Sequence, residues 1–117
     1  MRVTEIEYPG SPPVDGYGPG FFRVAGRVHR GPLLLLPVGP ESWQGLPDLA
    51  AILEQSGRID VLLIGMGAEI APLAKPLRAR LEQAGIGVEI MPTPSACRTY
   101  NVLLSEGRRI AAALIPV

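Results

Sequence analysis

"LLLLP", from Leu33, opens with a continuous apolar run, and the mostly apolar stretches "IDVLLIG" and "IAAALIPV" also read as strands, the first of them buried on both faces. A strand exposed on one face alternates apolar and polar residues; an unbroken run needs apolar cover on both faces. Each run is far shorter than the ~20 residues that cross a bilayer as a helix. The chain is thus expected to build a buried sheet sandwiched between other layers, with no membrane span. Its 117 residues suffice for one modest core, so a single domain over 1–117 is expected.

Glycine and proline divide the chain into two styles. The first 47 residues carry eight of the 13 prolines and eight of the 14 glycines, which predicts short strands and turns there. Residues 3–8 read as an edge strand, followed by a loop, "PGSPPVDGYGPG". Phe21–Val24 and Arg27–Arg30 flank Ala25 and Gly26, a pair suited to a two-residue hairpin turn because Gly26 tolerates positive φ.

Beyond Leu46 helical periods alternate with the apolar runs. Leu49, Ile52 and Leu53 stand at i, i+3 and i+4 on a helix that Gly57 would end. Leu77, Leu81 and Ala84 form a second stripe, opened by Pro76 and stopped by Gly85. "GVEIM" is a short strand. Thr93 reads as the N-cap of a third helix, with Pro94 in its first turn and Gly107 at its close. The order β-α-β-α-β-α-β after a hairpin-rich start predicts a three-layer α/β domain. Ala111, Ala112 and Ala113 would let a helix lie close on the last strand.

Charge and composition exclude several functions. Eleven basic and eleven acidic residues cancel, which leaves no electrostatic footprint for nucleic acid. One cysteine and one histidine cannot build a Cys/His zinc centre. A lone cysteine forms no internal disulfide and fits a reducing compartment; with no apolar leader in "MRVTEIEYPG", a cytoplasmic location is expected.

Three stretches invite a functional reading. Gly65 and Gly67 in "GMGAEI" follow the strongest strand and resemble part of a dinucleotide loop, but Ile70 stands where the third glycine belongs. The alternative is a tight turn at the carboxyl end of a central strand, the edge where open α/β sheets bind ligands. Asp15 and Tyr17 lie among Gly16, Gly18 and Gly20, in either a pocket-closing loop or a turn whose glycines supply unusual backbone angles. His29 and Trp43 read as an edge residue and a core cover.

The third stretch, "PTPSACRTYNVLLSEGRR", holds Cys97 beside Arg98, Thr99, Tyr100 and Asn101. Helical spacing puts Cys97, Tyr100, Asn101 and Leu104 on one inward stripe. A helix N-terminus and Arg98 could stabilise a thiolate. A nucleophile also needs a base and an orienting group, and none is spaced for it, so no catalytic residue is assigned. Asn101 on an inward face must find partners, expected from backbone near Gly65. The start of this helix should face residues 65–68, leaving a pocket or interaction surface between the Gly65–Gly67 turn and the Cys97 helix.

"ACRTYNVLLSEGRRIAAALIP", with "DGYGPGFFRV" upstream and "DVLLIGMG" between, resembles the small family typified by mitochondrial complex I assembly factor 3, which has uncharacterised archaeal and bacterial relatives. The resemblance covers nearly the whole chain. It implies a three-layer fold with a central mixed sheet, flanking helices and an extra β-hairpin layer from the N-terminal half. It also implies a non-catalytic role with protein partners, complex I subunits or another assembly factor, and no cofactor; self-association as a homodimer is expected alongside. The contrasting reading is an enzyme or small-ligand binder using the pocket beside Cys97.

Overall fold

A computed structural model describes residues 10–117; the strand expected over residues 3–8 lies outside them. Eight strands and three helices follow in the order β1 (Val14–Gly18), β2 (Phe21–Val24), β3 (Arg27–Arg30), β4 (Leu33–Leu36), β5 (Gly39–Ser42), α1 (Ala50–Glu54), β6 (Val61–Met66), α2 (Lys75–Gln83), β7 (Gly87–Met91), α3 (Thr93–Ser105) and β8 (Ile110–Ile115).

The three apolar runs are β4, β8 and β6, side by side in a five-stranded sheet of order β5-β4-β8-β6-β7. β6 runs parallel to β7 and β8, whereas β4 is antiparallel to β8 and β5, so the sheet is mixed. Register sorts the side chains onto two faces. Leu35, Ala112 and Leu63 align on one face, and Leu34, Ala113 and Ile64 on the other. The first face packs against α3 and against Val14, Phe22 and Val24 of the small sheet β1-β2-β3. The second packs against Leu49 and Ile52 at α1, Leu81 of α2, Trp43 and Ile59. Layers on both sides explain why these strands carry no polar alternation.

Chain direction dictates where the helices go. β6 crosses to β7 on one side, and β7 returns past β6 to β8 on the other. Right-handed crossovers in opposite directions must use opposite faces, and α2 and α3 do lie on opposite faces. The strands' carboxyl ends therefore meet where two connections diverge.

The hairpin turn is as expected: Ala25 and Gly26 both have positive φ, 51° and 76°, as a type I′ turn requires. Two strands were hidden from sequence reasoning. The stretch containing Asp15 and Tyr17 is strand β1, not a loop, and only Gly20 of its three glycines takes positive φ. Gly18 pairs with Phe21, and a β-carbon on Gly18 would come within 2.5 Å of the Phe21 ring. The ring takes the place of the missing side chain, so glycine here marks close cross-strand contact. β5 was concealed by Pro40, which is tolerated because β5 is an edge strand.

Candidate functional site

The first turn of α3 packs directly on the turn after β6. The Gly67 N–H donates to Thr93 Oγ1 (2.8 Å), and the Thr93 hydroxyl donates to the Ile115 carbonyl (2.6 Å). The Thr93 N–H donates to the Gly67 carbonyl (2.8 Å). Thr93 is thus not the N-cap: Pro92 holds that position and no side chain caps the helix. Its hydroxyl instead ties the carboxyl ends of β6 and β8 to the start of α3.

This arrangement explains both glycines. A β-carbon on Gly65 would lie 2.7 Å from Thr93 Oγ1 and 3.0 Å from Thr93 Cα. Gly67 has φ +96°, in the region that favours glycine. A phosphate-cradling loop needs free backbone N–H groups, but the Gly67 N–H is spent on Thr93. The juxtaposition expected between the α3 start and residues 65–68 is present. Between them lies Thr93, whose hydroxyl and backbone both bond to the Gly67 end of the turn.

Further along α3, Cys97 is 3% exposed, packed in the core between the two sheets. Burial pushes its thiol up to about 11, against the opposing pull of Arg98. A thiol held protonated is the reverse of an activated nucleophile. Tyr100 is buried as well; its hydroxyl donates to the Ser11 carbonyl (3.0 Å), and Ser11 Oγ donates to the Leu36 carbonyl (2.8 Å). Burial raises the Tyr100 phenol further, against the hydrogen bond to Ser11.

Asn101 is half-buried and hydrogen-bonded, but not to the Gly65 turn. Its Oδ1 accepts from the Val14 N–H (2.8 Å) and its Nδ2 donates to the Val14 carbonyl (2.9 Å). The Tyr100–Asn101 pair is a clamp on residues 11–14. Sequence reasoning missed this because no local spacing links positions 87 residues apart. Among the other candidates Arg98, Asp15 and Tyr17 are exposed and Thr99 is half-buried. Asp15 Oδ2 accepts from the Gly26 N–H (3.0 Å).

A recess of about 260 Å³ lies at the other end of the central sheet, lined by Arg58, Arg108 and Arg109 with Pro37, Gly57 and Ile110. Arg109 is already engaged, paired with Asp60 at 3.8 Å and donating to the Gly57 carbonyl. Arginine stays protonated at any working pH, so this recess offers charge and no proton transfer. Among the described residues no three His, Cys, Asp or Glu side chains gather in a metal-binding group. No described helix is long and apolar enough to cross a membrane.

Residues 14–115 match the family described as "Protein of unknown function (DUF498/DUF598)". The chain belongs to this family. An uncharacterised protein of Rhodobacter capsulatus is 54% identical over 117 residues, covering all of this chain and 94% of its own. NADH dehydrogenase (ubiquinone) 1 alpha subcomplex assembly factor 3 of Mus musculus is 34% identical over 99% of this chain. The present chain spans 66% of that mouse protein's length. Among solved structures, an outer membrane protein from Bartonella henselae superposes with a TM-score of 0.85 at 41% identity, over 93% of this chain and 98% of that one. The resemblance drawn from the "CRTYN" and "EGRRIAAALIP" stretches is borne out, as is the mixed-sheet fold it implied. Within those stretches Tyr100 and Asn101 fasten α3 to residues 11–14, and the Ile115 carbonyl accepts from Thr93.

Proposed function

We propose that this protein is a non-enzymatic, cytoplasmic assembly factor that acts on respiratory complex I by binding proteins. The observation that carries the reading is the likeness to assembly factor 3, which runs across 99% of the chain rather than across one motif. The geometry supports it from the other direction. At the crevice between diverging connections, where α/β folds usually hold a ligand, Thr93 takes up the Gly67 N–H. The one thiol is buried and held protonated. Recognition then falls to exposed side chains such as Arg98, Tyr17 and those of the β1–β3 sheet.

The test is deletion of the gene in its native host, with complex I measured by native gel and by NADH:quinone activity in membranes. Loss of the mature complex, restored by the wild-type gene, supports the proposal. Normal complex I in the deletion strain overturns it. Cys97→Ala should restore assembly as well as wild type, because the thiol has no chemical part in it.

A further inference from the structure

Two sheets have four edges, and three of them are blunted. On β1 the Val14 N–H and C=O are taken by the Asn101 amide. The β5 edge contains Pro40, which has no N–H. On β7 the Arg78 guanidinium donates to the Val88 carbonyl (3.3 Å). The fourth edge is β3, which pairs with β2 alone among the described strands.

The register shows which groups that edge offers. A two-residue turn closes on a hydrogen-bonded pair, Val24 with Arg27, and bonded pairs then alternate along the ladder. Phe22–His29 is the next, and the Gly31 N–H bond to the Gly20 carbonyl (2.9 Å) continues the series. Arg27 and His29 therefore face β2, and the N–H and C=O groups of Val28 and Arg30 point outward.

Charge on this edge is one-sided. Arg23, Arg27 and Arg30 lie on β2 and β3, and none is ion-paired among the described residues, whose ion pairs are Arg78–Glu82 and Arg109–Asp60. The sheet's single carboxylate, Asp15, is on the far strand and is engaged by the Gly26 N–H. Val28, between the arginines, is 49% exposed. Edge arginines ordinarily block self-pairing. An antiparallel pair of two β3 strands would crowd Arg27 and Arg30 of both copies along one four-residue ladder, where like charges are destabilising.

We infer that β3 is a docking edge for an extended acidic segment of a partner protein, which adds as a fourth strand. Its backbone pairs with Val28 and Arg30, its carboxylates stand opposite Arg27 and Arg30, and an apolar side chain between them covers Val28. This names the partner chemistry of the assembly-factor reading and rests on that reading only for the partner being a protein.

The probe is an eight-residue peptide with two glutamates three positions apart, a valine between them and threonine elsewhere, titrated into the 15N-labelled protein. Binding should protect the Val28 and Arg30 amides from exchange and leave Arg27 and His29 as they were. Arg27→Glu/Arg30→Glu should weaken binding about tenfold or more, as should glutamine in place of both glutamates. Val28→Pro removes an outward N–H without touching the β2 ladder and should abolish binding while the remaining spectrum stays folded. No shift up to about 1 mM peptide, or binding indifferent to these variants, overturns the proposal. Protection of Val28 and Arg30 that deepens with protein concentration alone also overturns it, by making a second copy the occupant. In the host, an Arg27→Glu/Arg30→Glu strain that assembles complex I normally, beside a deletion strain that does not, rejects the β3 edge and leaves the assembly reading standing.

Discussion

Asn101 does with one side chain what a neighbouring strand would otherwise do. Its amide answers both backbone groups of Val14, so the first residue of β1 is paired on both sides. Asn101→Leu would add apolar area on a helix face but leave that N–H and C=O without partners. An unmet backbone group costs about 1–3 kcal/mol when buried, and this site is half-buried, so the variant should lose about 1–3 kcal/mol in urea denaturation. An unchanged midpoint would refute the clamp. Cys97 makes a different prediction, with a sign. Its folded pKa is raised from 9.0 to about 11 by burial, so the folded state keeps its proton where the unfolded chain has lost it. The thiol's stabilising effect is complete below pH 9 and lost as pH climbs toward 11. Between pH 8 and 10.5 Cys97→Ala should lose less stability than wild type, by about 1–2 kcal/mol. Native alkylation should be slow, with no inflection below neutral pH; a fast reaction with an inflection near pH 6 would restore the thiol as a nucleophile.

At the scale of elements, α3 holds the molecule together, and its contacts account for what could and could not be read in advance. Its helical period, its proline-rich start and its Gly107 stop were legible because they are local. So were β4, β6 and β8, whose unbroken apolar runs demand cover on two faces. β1 and β5 were not legible, because glycine and proline are poor strand formers unless a partner compensates. The compensation here is the Phe21 ring over Gly18 and the edge position of Pro40, which are facts of tertiary structure. Likewise the glycines of "GMG" were rightly placed at a strand's carboxyl end, but their purpose depended on Thr93, 26 residues away. That dependence can be tested. Thr93→Val keeps the shape and removes the hydroxyl, stranding the buried Gly67 N–H and one acceptor on Ile115. The cost should be about 2–4 kcal/mol, while Thr93→Ser, which keeps both bonds, should lose no more than about 1 kcal/mol. Equal losses in the two variants would mean that the methyl group, and not the hydroxyl, seats the helix.

Over the whole molecule, the two sheets differ in how they are held. The five-stranded sheet is covered on both faces and bonded through continuous ladders. Among the described residues no ladder joins the three-stranded sheet to it. The small sheet is held by Val14, Phe22 and Val24 against the core, by the Asn101 clamp, and by a bond from the Gly20 N–H to the Val117 carbonyl (3.2 Å). Phe22, with no exposed surface, is the largest of those apolar anchors. Truncating a buried phenylalanine costs about 3–5 kcal/mol, and here the loss should fall unevenly. Amide protection in β2 and β3 should drop toward that of a separately opening unit, while β4, β6 and β8 keep the global value less whatever the native state as a whole loses. Native-state hydrogen exchange on Phe22→Ala measures this strand by strand. Equal loss of protection in both sheets would show that they unfold as one. A hairpin layer that opens first would place the molecule's least stable unit on the same strands that carry its open, arginine-lined edge.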